Sequence, residues 1–475
     1  MNEVARRFSV PIDIEAVISG TARLDRDQTL CLYHEATLHE LGRWSSEVCE
    51  RLHGPSVRTF VKDRNINYTN ICSARCTFCA FRRDGDEADA YTLDRRHLHD
   101  KIRELIDVGG TQILLQGGMN PDLGIEFYED MLRGIKLTFP TVHIHGFSPP
   151  EFVEFVAVLD IAGFESPGAG RSNHLPLDVW RAKLEAIMSR LAVAGLDSLP
   201  GGGGEIFAEH VRRRIGLGKA SARQWLEVMA CAHRLGMRTS ATMMFGHIES
   251  RSDRVDHMLS VREWQDRAIA HNWPGRYVSF ISWPFQRENT PLGRVPEWDP
   301  MTEDDFPGDT LAEAIYHRRV DSSDKIACDQ VAPRAGKFVR MVRAAEYLRT
   351  QALSRLVLDN IASIGSSWVT MGPHIGQMGL FFGANDMGSI MMEENVVSAA
   401  GTTYRLDEQV LCHLIRGGGF TPAQRDNSYR ILCTYDGPDS PDLQVTDWSR
   451  HRAGSPSATE HADDAVAVPL TIAAE

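Results

Sequence analysis

The sequence predicts an α/β protein built as a (β/α) TIM-like barrel, and two patterns carry that prediction. Short apolar runs alternate with longer amphipathic segments along most of the chain, which is how parallel strands covered by helices are written. The runs also end in glycine-rich or polar residues, and such barrels gather their chemistry at the C-terminal ends of their strands. Eight runs read as strands: "NINYTNI", "QILLQGG", "HIHGFSPP", "GLDSLPGG", "RTSATMMFG", "YVSFISWPF", "SSWVTMG" and "FGANDMG". Between them, "RRHLHDKIRELIDVG", "SARQWLEVMACAHRLG" and "DRVDHMLSVREWQDRA" have helical periodicity. Ahead of the barrel, residues 1–60 read as a helical segment, with "TLHELGRWSSEVCERLHG" strongly periodic, and the barrel itself takes 61–435. From 436 to 475 the chain is rich in Asp, Ser, Pro and Ala with few large apolar residues, and reads as a disordered tail.

The 475 residues carry 51 Lys and Arg against 64 Asp and Glu, a formal net charge of -13. That balance argues against nucleic acid as a partner and favours a small-molecule substrate. No apolar run is long enough to span a membrane, and the N-terminus has no secretory pattern, so the expected compartment is the cytoplasm. Nine cysteines there do not make a disulfide framework. Six are scattered singly, at Cys31, Cys49, Cys231, Cys328, Cys412 and Cys433, and read as buried thiols.

The other three lie together in "NICSARCTFCAF", where Cys72, Cys76 and Cys79 follow C-x-x-x-C-x-x-C directly after the first strand. Disulfide pairing would leave one over. Zinc would need further ligands at its own spacing, and no second CxxC or nearby HxxxH supplies them. Three thiolates can instead hold three irons of a [4Fe–4S] cluster and leave the fourth open to another ligand. With the aromatic Phe78 just before the last thiol, the pattern resembles that of the radical S-adenosylmethionine (SAM) superfamily. The resemblance implies that the amino and carboxylate groups of SAM take the open iron, and that an electron donor such as flavodoxin or ferredoxin reduces the cluster.

Later strand ends agree. In "LLQGGMNP", Gly117 and Gly118 let backbone approach a ligand closely; in radical SAM enzymes the matching pair meets the methionyl amino group. Glu205 closes the glycine run of "LPGGGGEIF", where superfamily members commonly hold SAM with a polar residue, although a helix-start Glu has a plain dipole reading too. "TMMFGHIE" resembles the segment that packs on adenine, with Met244, Gly246 and Glu249 in the matching positions. The run "VRRRIG" from residue 211 reads as a solvated helix face.

Taken in order from about residue 20 to about 430, "RNINYTNIC", "CTFCAFRR", "ILLQGGMNPDL", "AGLDSLPGGGGEI", "FQRENTPL" and "GANDMGSIMMEENVVSAAG" resemble one group of radical SAM enzymes. It comprises the dehypoxanthine futalosine cyclases, the aminofutalosine synthases and the FO synthase subunits. "FSPPE" and "MMEENVVSAAG" favour the cyclases, which act in the futalosine branch of menaquinone biosynthesis. The resemblance then implies that a 5′-deoxyadenosyl radical takes the ribose C4′ hydrogen of dehypoxanthine futalosine. The sugar radical attacks the benzoate ring, and loss of a proton and an electron restores aromaticity. The alternative is a paralogue that makes a ring or C–C bond on another nucleoside or aromatic substrate in secondary metabolism.

Substrate residues are read from position. His143 and His145 share one face of the third strand. His145 is the candidate acceptor of the final proton, set against a metal pair or a plain hydrogen-bonded barrel histidine. Asn120, Gln286, Arg287, Asn289, Asn385 and Glu393 stand at or after strand ends, where they could bind a ribose or carboxylate or tie down their own loops. Two features depart from the group's pattern: a long connection at 160–178, expected to cover the barrel mouth, and Arg287 where a proline is expected. Arg287 is the candidate partner of the substrate carboxylate, through paired charge-assisted bonds.

Overall fold

The structure is a computed structural model that describes residues 8–301 and 305–451. Three helices come first: α1 (Ile14–Ser19), α2 (Arg26–Glu35) and α3 (Leu38–His53). Asp25 with Gln28 and Thr37 with Glu40 close reciprocal capping boxes at the starts of α2 and α3, satisfying amide donors that a helix start leaves unpaired. The apolar stripe of α3, Leu41, Trp44 and Val48, is buried.

The barrel wall is an 11-stranded sheet. Its strands are β1 (Val57–Val61), β2 (Asp63–Asn67), β4 (Gln112–Gln116), β5 (His143–Gly146), β6 (Ser198–Leu199), β8 (Arg238–Phe245), β9 (Tyr277–Pro284), β10 (Ser363–Gly365), β11 (Asp386–Ser389), β12 (Thr421–Arg425) and β13 (Ile431–Thr434). A separate ribbon pairs β3 (Arg75–Cys76) with β7 (Gly216–Leu217). The order is β13-β12-β1-β11-β10-β9-β8-β6-β5-β4-β2, and only the β12–β13 pair is antiparallel. Lys62 alone separates β1 from β2, yet β1 pairs with β11 and β12 while β2 pairs with β4. The sheet therefore curls until its far end is joined to β1 by one residue of chain, and Ser389 Oγ reinforces the seam by donating to Asp63.

The helices that matter for the site are α4 (Arg95–Asp107), α5 (Ile125–Thr138), α6 (Pro149–Val158), α7 (Leu177–Ala194), α8 (Glu209–Ile215), α9 (Ala222–Arg234) and α10 (Arg251–Ala270). Alternate residues of β8 turn outward to them: Thr239 Oγ1 lies 2.8 Å from His233 of α9, and the ring of Phe245 lies under Arg254 of α10. By the period of two, Thr242, Met244 and Gly246 face the other way.

Three parts differ from the sequence reading. "SSWVTMG" is not a strand: the strand is Ser363–Gly365 just before it, and Trp368–Met371 is a helical turn. So short an apolar run cannot be assigned by periodicity alone. β1, β12, β13 and the ribbon strands β3 and β7 are not among the eight expected runs, and β1 starts inside the segment read as helical. Part of the expected tail is built: Pro441–Gln444 forms a 3-10 turn whose Asp442 is buried against Arg416. Residues from 452 onward lie outside the described residues.

The hairpin between β12 and β13 closes one end of the barrel. Asn427 Nδ2 donates to Ser198 Oγ (2.9 Å), Arg238 donates to Ser428 O (3.4 Å), and Arg425 grips Asp386 through Nε (2.5 Å) and Nη2 (2.9 Å). Ser198, Arg238 and Asp386 are the first residues of β6, β8 and β11. The hairpin therefore plugs the N-terminal end and leaves the C-terminal end for chemistry.

Candidate active site

The three clustered thiols sit on a loop that backbone bonds brace from several sides. Cys72 N donates to Arg83 O (3.1 Å), Ser73 N to Met119 O (2.8 Å) and Thr77 N to Ile215 O (2.8 Å). Asn70 ties the return of the loop by donating to Asp89 O and accepting from Tyr91 N, each at 2.8 Å. All three thiols are free and half-buried. Burial pushes the Cys72 thiol up and the Cys76 thiol up to about 12, so thiolates here need a cation to hold them. Three free thiols on one braced loop are the donor set that a [4Fe–4S] cluster takes, one thiolate to each of three irons, so the residues present fit that group.

Gly117 and Gly118 follow β4 and face this loop. A Cβ on Gly118 would fall 2.0 Å from Ile71 O and 3.0 Å from Cys72 Cβ, and one on Gly117 would fall 2.5 Å from the Tyr68 ring. Only glycine allows this approach between the two loops.

Beside the thiols lies a cavity of about 320 Å³, lined by Phe78, Glu205, Lys219 and Arg212 among others. Glu205 is buried at a left-handed φ of 38° and accepts from Lys219 Nζ, while its Oε2 has no partner. Burial would push the Glu205 carboxyl up, but Lys219 and Arg212 outweigh it and hold the group below its usual range. Burial would likewise lower Lys219, but Glu205 and Cys76 leave it raised. Lys219 Nζ also stands 4.8 Å from the centre of the Phe78 ring. Neither Lys219 nor Arg212 was foreseen as a site residue. Far from a solvated helix face, Arg212 is buried and donates to the carbonyls of Gly203, Gly204, Ile206 and Ala220; only its place in an arginine run was visible in the sequence.

At the end of β8, Met244 is buried and Gly246 has a φ of 90°. Glu249 is committed to this turn: it accepts from Gly246 N (2.7 Å), His247 N (2.9 Å) and Arg254 Nε (2.8 Å). Its role is to hold the turn, and its oxygens are spoken for.

The other sequence candidates scatter. His143 Nε2 and His145 Nδ1 lie 2.7 and 2.6 Å from Ser198 Oγ, next to the plug residue Asn427. Burial holds both imidazoles neutral, that of His145 well below the usual range. Asn120 makes a local turn with Asp122 N. Gln286 donates to Pro284 O and Asn289 to Ala399 O. Arg287 is turned onto its own loop, donating to Gly293 O (2.7 Å) and Val295 O (3.2 Å). Glu393 is clamped by Arg64 and Lys101. Asn385 stands before β11, at the plugged end, bound to Arg355 and Ile364 N. The connection at 160–178 brings Gly170, Ser172 and Asn173 to the wall of the cavity. Of the six scattered cysteines five are buried, and Cys433 is exposed on β13.

A braced three-cysteine loop at the open end of a curled α/β barrel defines a class, and the sequence matches it. The radical SAM superfamily matches residues 66–261, and the CofH/MqnC C-terminal region matches 328–436. The chain belongs to the radical SAM superfamily, in the family that carries this C-terminal region, and is an enzyme of that kind. The cyclic dehypoxanthine futalosine synthase of Halalkalibacterium halodurans is 37% identical to it, over 89% of this chain and 95% of that protein. The synthase of the same name from Streptomyces coelicolor is 33% identical, over 90% of each. The aminodeoxyfutalosine synthase of Thermus thermophilus is 32% identical, over 90% of this chain and 96% of its own. Among solved structures, methylornithine synthase has a TM-score of 0.53 at 16% identity, covering 86% of this chain and 97% of its own, a likeness of fold alone. Membership implies a [4Fe–4S] cluster, SAM, a small-molecule substrate and a reductant. No described helix is long and apolar enough to cross a membrane.

Proposed function

We propose that this enzyme cyclises dehypoxanthine futalosine to cyclic dehypoxanthine futalosine in the futalosine route to menaquinone. The observation that carries the reading is the likeness to the Halalkalibacterium cyclase over nearly the whole of both chains. Cys72, Cys76 and Cys79 hold the [4Fe–4S] cluster, and Gly117, Gly118, Glu205, Met244 and Gly246 receive SAM. The bound cofactors supply a carbon radical able to take a hydrogen atom from the substrate. A flavodoxin or ferredoxin supplies the electron, in the cytoplasm.

The protein's own part is geometric. The glycine pair brings backbone against the cluster loop, Lys219 and Glu205 present opposite charges to the zwitterionic end of SAM, and the hairpin plug keeps water from entering the barrel at its N-terminal end. His145 is withdrawn as the acceptor of the final proton, because its Nδ1 is engaged by Ser198 beside the plug, at the end of the barrel away from the thiols. Arg287 is withdrawn as the carboxylate partner, because its guanidinium is already bound to carbonyls.

Anaerobic turnover with dehypoxanthine futalosine, SAM and a reductant tests this, following deoxyadenosine and cyclised product together. Equal amounts of both are expected. SAM cleavage without cyclised product, alongside product from another nucleoside or aromatic, would replace the cyclase by a paralogue of the same class. Cys76→Ala is expected to abolish both products.

A further inference from the structure

Two carboxylates of α6 hold the two cofactor loops, and Glu154 also lines the cavity. Glu151 and Glu154 are three residues apart, hence on one face of the helix. Glu151 is 1% exposed and receives four hydrogen bonds: on Oε1 from Tyr68 Oη (2.7 Å) and Gly117 N (3.1 Å), on Oε2 from Ser148 N (2.6 Å) and Ser148 Oγ (2.7 Å). Glu154 is 2% exposed and receives two: Ser73 Oγ on Oε1 (2.8 Å) and Gly170 N on Oε2 (3.1 Å). Ser73 follows the first cluster thiol, and Gly170 belongs to the long connection at 160–178.

Burial pushes both carboxyls up, Glu151 to about 7, and the groups that offset it are hydrogen-bond donors. A buried carboxylate held only by neutral donors is an expensive way to anchor a helix. Two of the bonds of Glu151 close the capping box of α6 on Ser148, whereas those from Gly117, Ser73 and Gly170 come from the loops that meet at the cofactor. Glu151 fixes the amide of Gly117 from one side. On the next peptide, Gly118 N donates to Thr69 O (2.9 Å). In a trans peptide the carbonyl of Gly117 then points away from Thr69.

We propose that Glu151 and Glu154 are positioning residues that register the Gly117–Gly118 loop against the cluster loop. Glu151 sets the peptide that receives the amino end of SAM. Glu154 makes the position of Ser73 depend on the order of the 160–178 connection. The inference rests on the cofactor reading above.

Wild type, Glu151→Gln, Glu154→Gln and Ser73→Ala are reconstituted anaerobically and compared for iron and sulfide content, SAM affinity by equilibrium dialysis, the paramagnetic spectrum of the reduced cluster with and without SAM, and melting temperature. Gln at 151 turns an NH2 toward donors, so one of its two pairs of bonds is lost; Ser73→Ala removes only the link to the cluster loop. If Glu151→Gln fails to fold, Tyr68→Phe replaces it. Expected are wild-type iron content, SAM binding weaker by about tenfold, and loss or broadening of the spectral change that SAM causes, with Ser73→Ala melting within about 2 °C of wild type. SAM affinity within twofold of wild type and an unchanged spectrum in all variants would overturn the proposal and leave the carboxylates as anchors of α6. A wild type that loads no cluster would overturn the cofactor reading, and this proposal with it.

Discussion

A methyl group at residue 118 is the sharpest probe of the cradle. The Cβ of Gly118→Ala would lie 2.0 Å from Ile71 O and 2.6 Å from Ile71 C. Both are backbone atoms, so no rotamer change relieves the clash, and a gap of 3.0 Å, the least that real Cβ atoms tolerate, requires about 1 Å of movement. The movement cannot be taken up freely: Gly118 N is bonded to Thr69 O, Cys72 N to Arg83 O and Ser73 N to Met119 O. It falls on the Ile71–Cys72 peptide and so on the first thiol. Overpacking of this kind costs about 1–3 kcal/mol of stability, whereas a 1 Å misplacement at a reacting centre costs about a hundredfold in rate. Function should therefore fail well before the fold does. Iron and sulfide per chain, deoxyadenosine formation and melting temperature are measured for Gly118→Ala beside Gly437→Ala, whose Cβ would meet nothing within 4 Å. The expected result is a folded protein with less than half the wild-type iron and about a hundredfold less SAM cleavage, with Gly437→Ala unchanged. Full iron loading and SAM cleavage within threefold of wild type would refute the reasoning.

Lys219→Met strands the buried Glu205 carboxylate and is expected to cost about 3 kcal/mol, measured by urea unfolding. Adding Glu205→Gln should restore much of that stability without restoring SAM affinity. His257 is fully buried, and burial lowers its pKa from 6.5 to about 3. Its contribution to stability is therefore complete above pH 6.5 and is lost as pH falls below it, by about 1.4 kcal/mol at pH 5.5. Urea unfolding at pH 7.5 and 5.5 should show the gap between wild type and His257→Gln shrinking by that amount, and a constant gap would count against the assignment. Arg425→Met leaves Asp386 unpaired at the plugged end and should destabilise by about 3–5 kcal/mol, while iron content per folded chain stays at the wild-type level.

What could be read in the sequence was local. Cys72, Cys76 and Cys79 fall within eight consecutive residues, and Gly117–Gly118 is a contiguous pair, so their chemistry is written in spacing. The partner of Glu205 was not legible, because Lys219 is brought to it by the turn of α8 and the ribbon β3–β7. Period two correctly put His143 and His145 on one face, but their neighbour Asn427 lies 284 residues from His143 in the chain. Only the fold could tell that this face meets the plug. Asn385 illustrates the same limit: "FGANDMG" reads as a strand with Asn385 at or after a strand end, whereas the strand runs from Asp386 to Ser389 and leaves Asn385 just before it, at the plugged end. Arg287 looked free for a carboxylate because the carbonyls that occupy it, on Gly293 and Val295, advertise nothing in a sequence.

The buried charges of the site are matched within the protein. Arg212 is buried, burial lowers its pKa, and its hydrogen bonds go to carbonyl oxygens, while the carboxylates of Glu205 and Glu209 act on it from nearby. Lys219 is buried as well and paired with Glu205. The wall of the cavity sets Arg212, Arg213 and Lys219 against Glu154, Glu205 and Glu209. With the two signs balanced there, the charge of the pocket calls for no cluster by itself, and the spacing of the three cysteines is the observation that does.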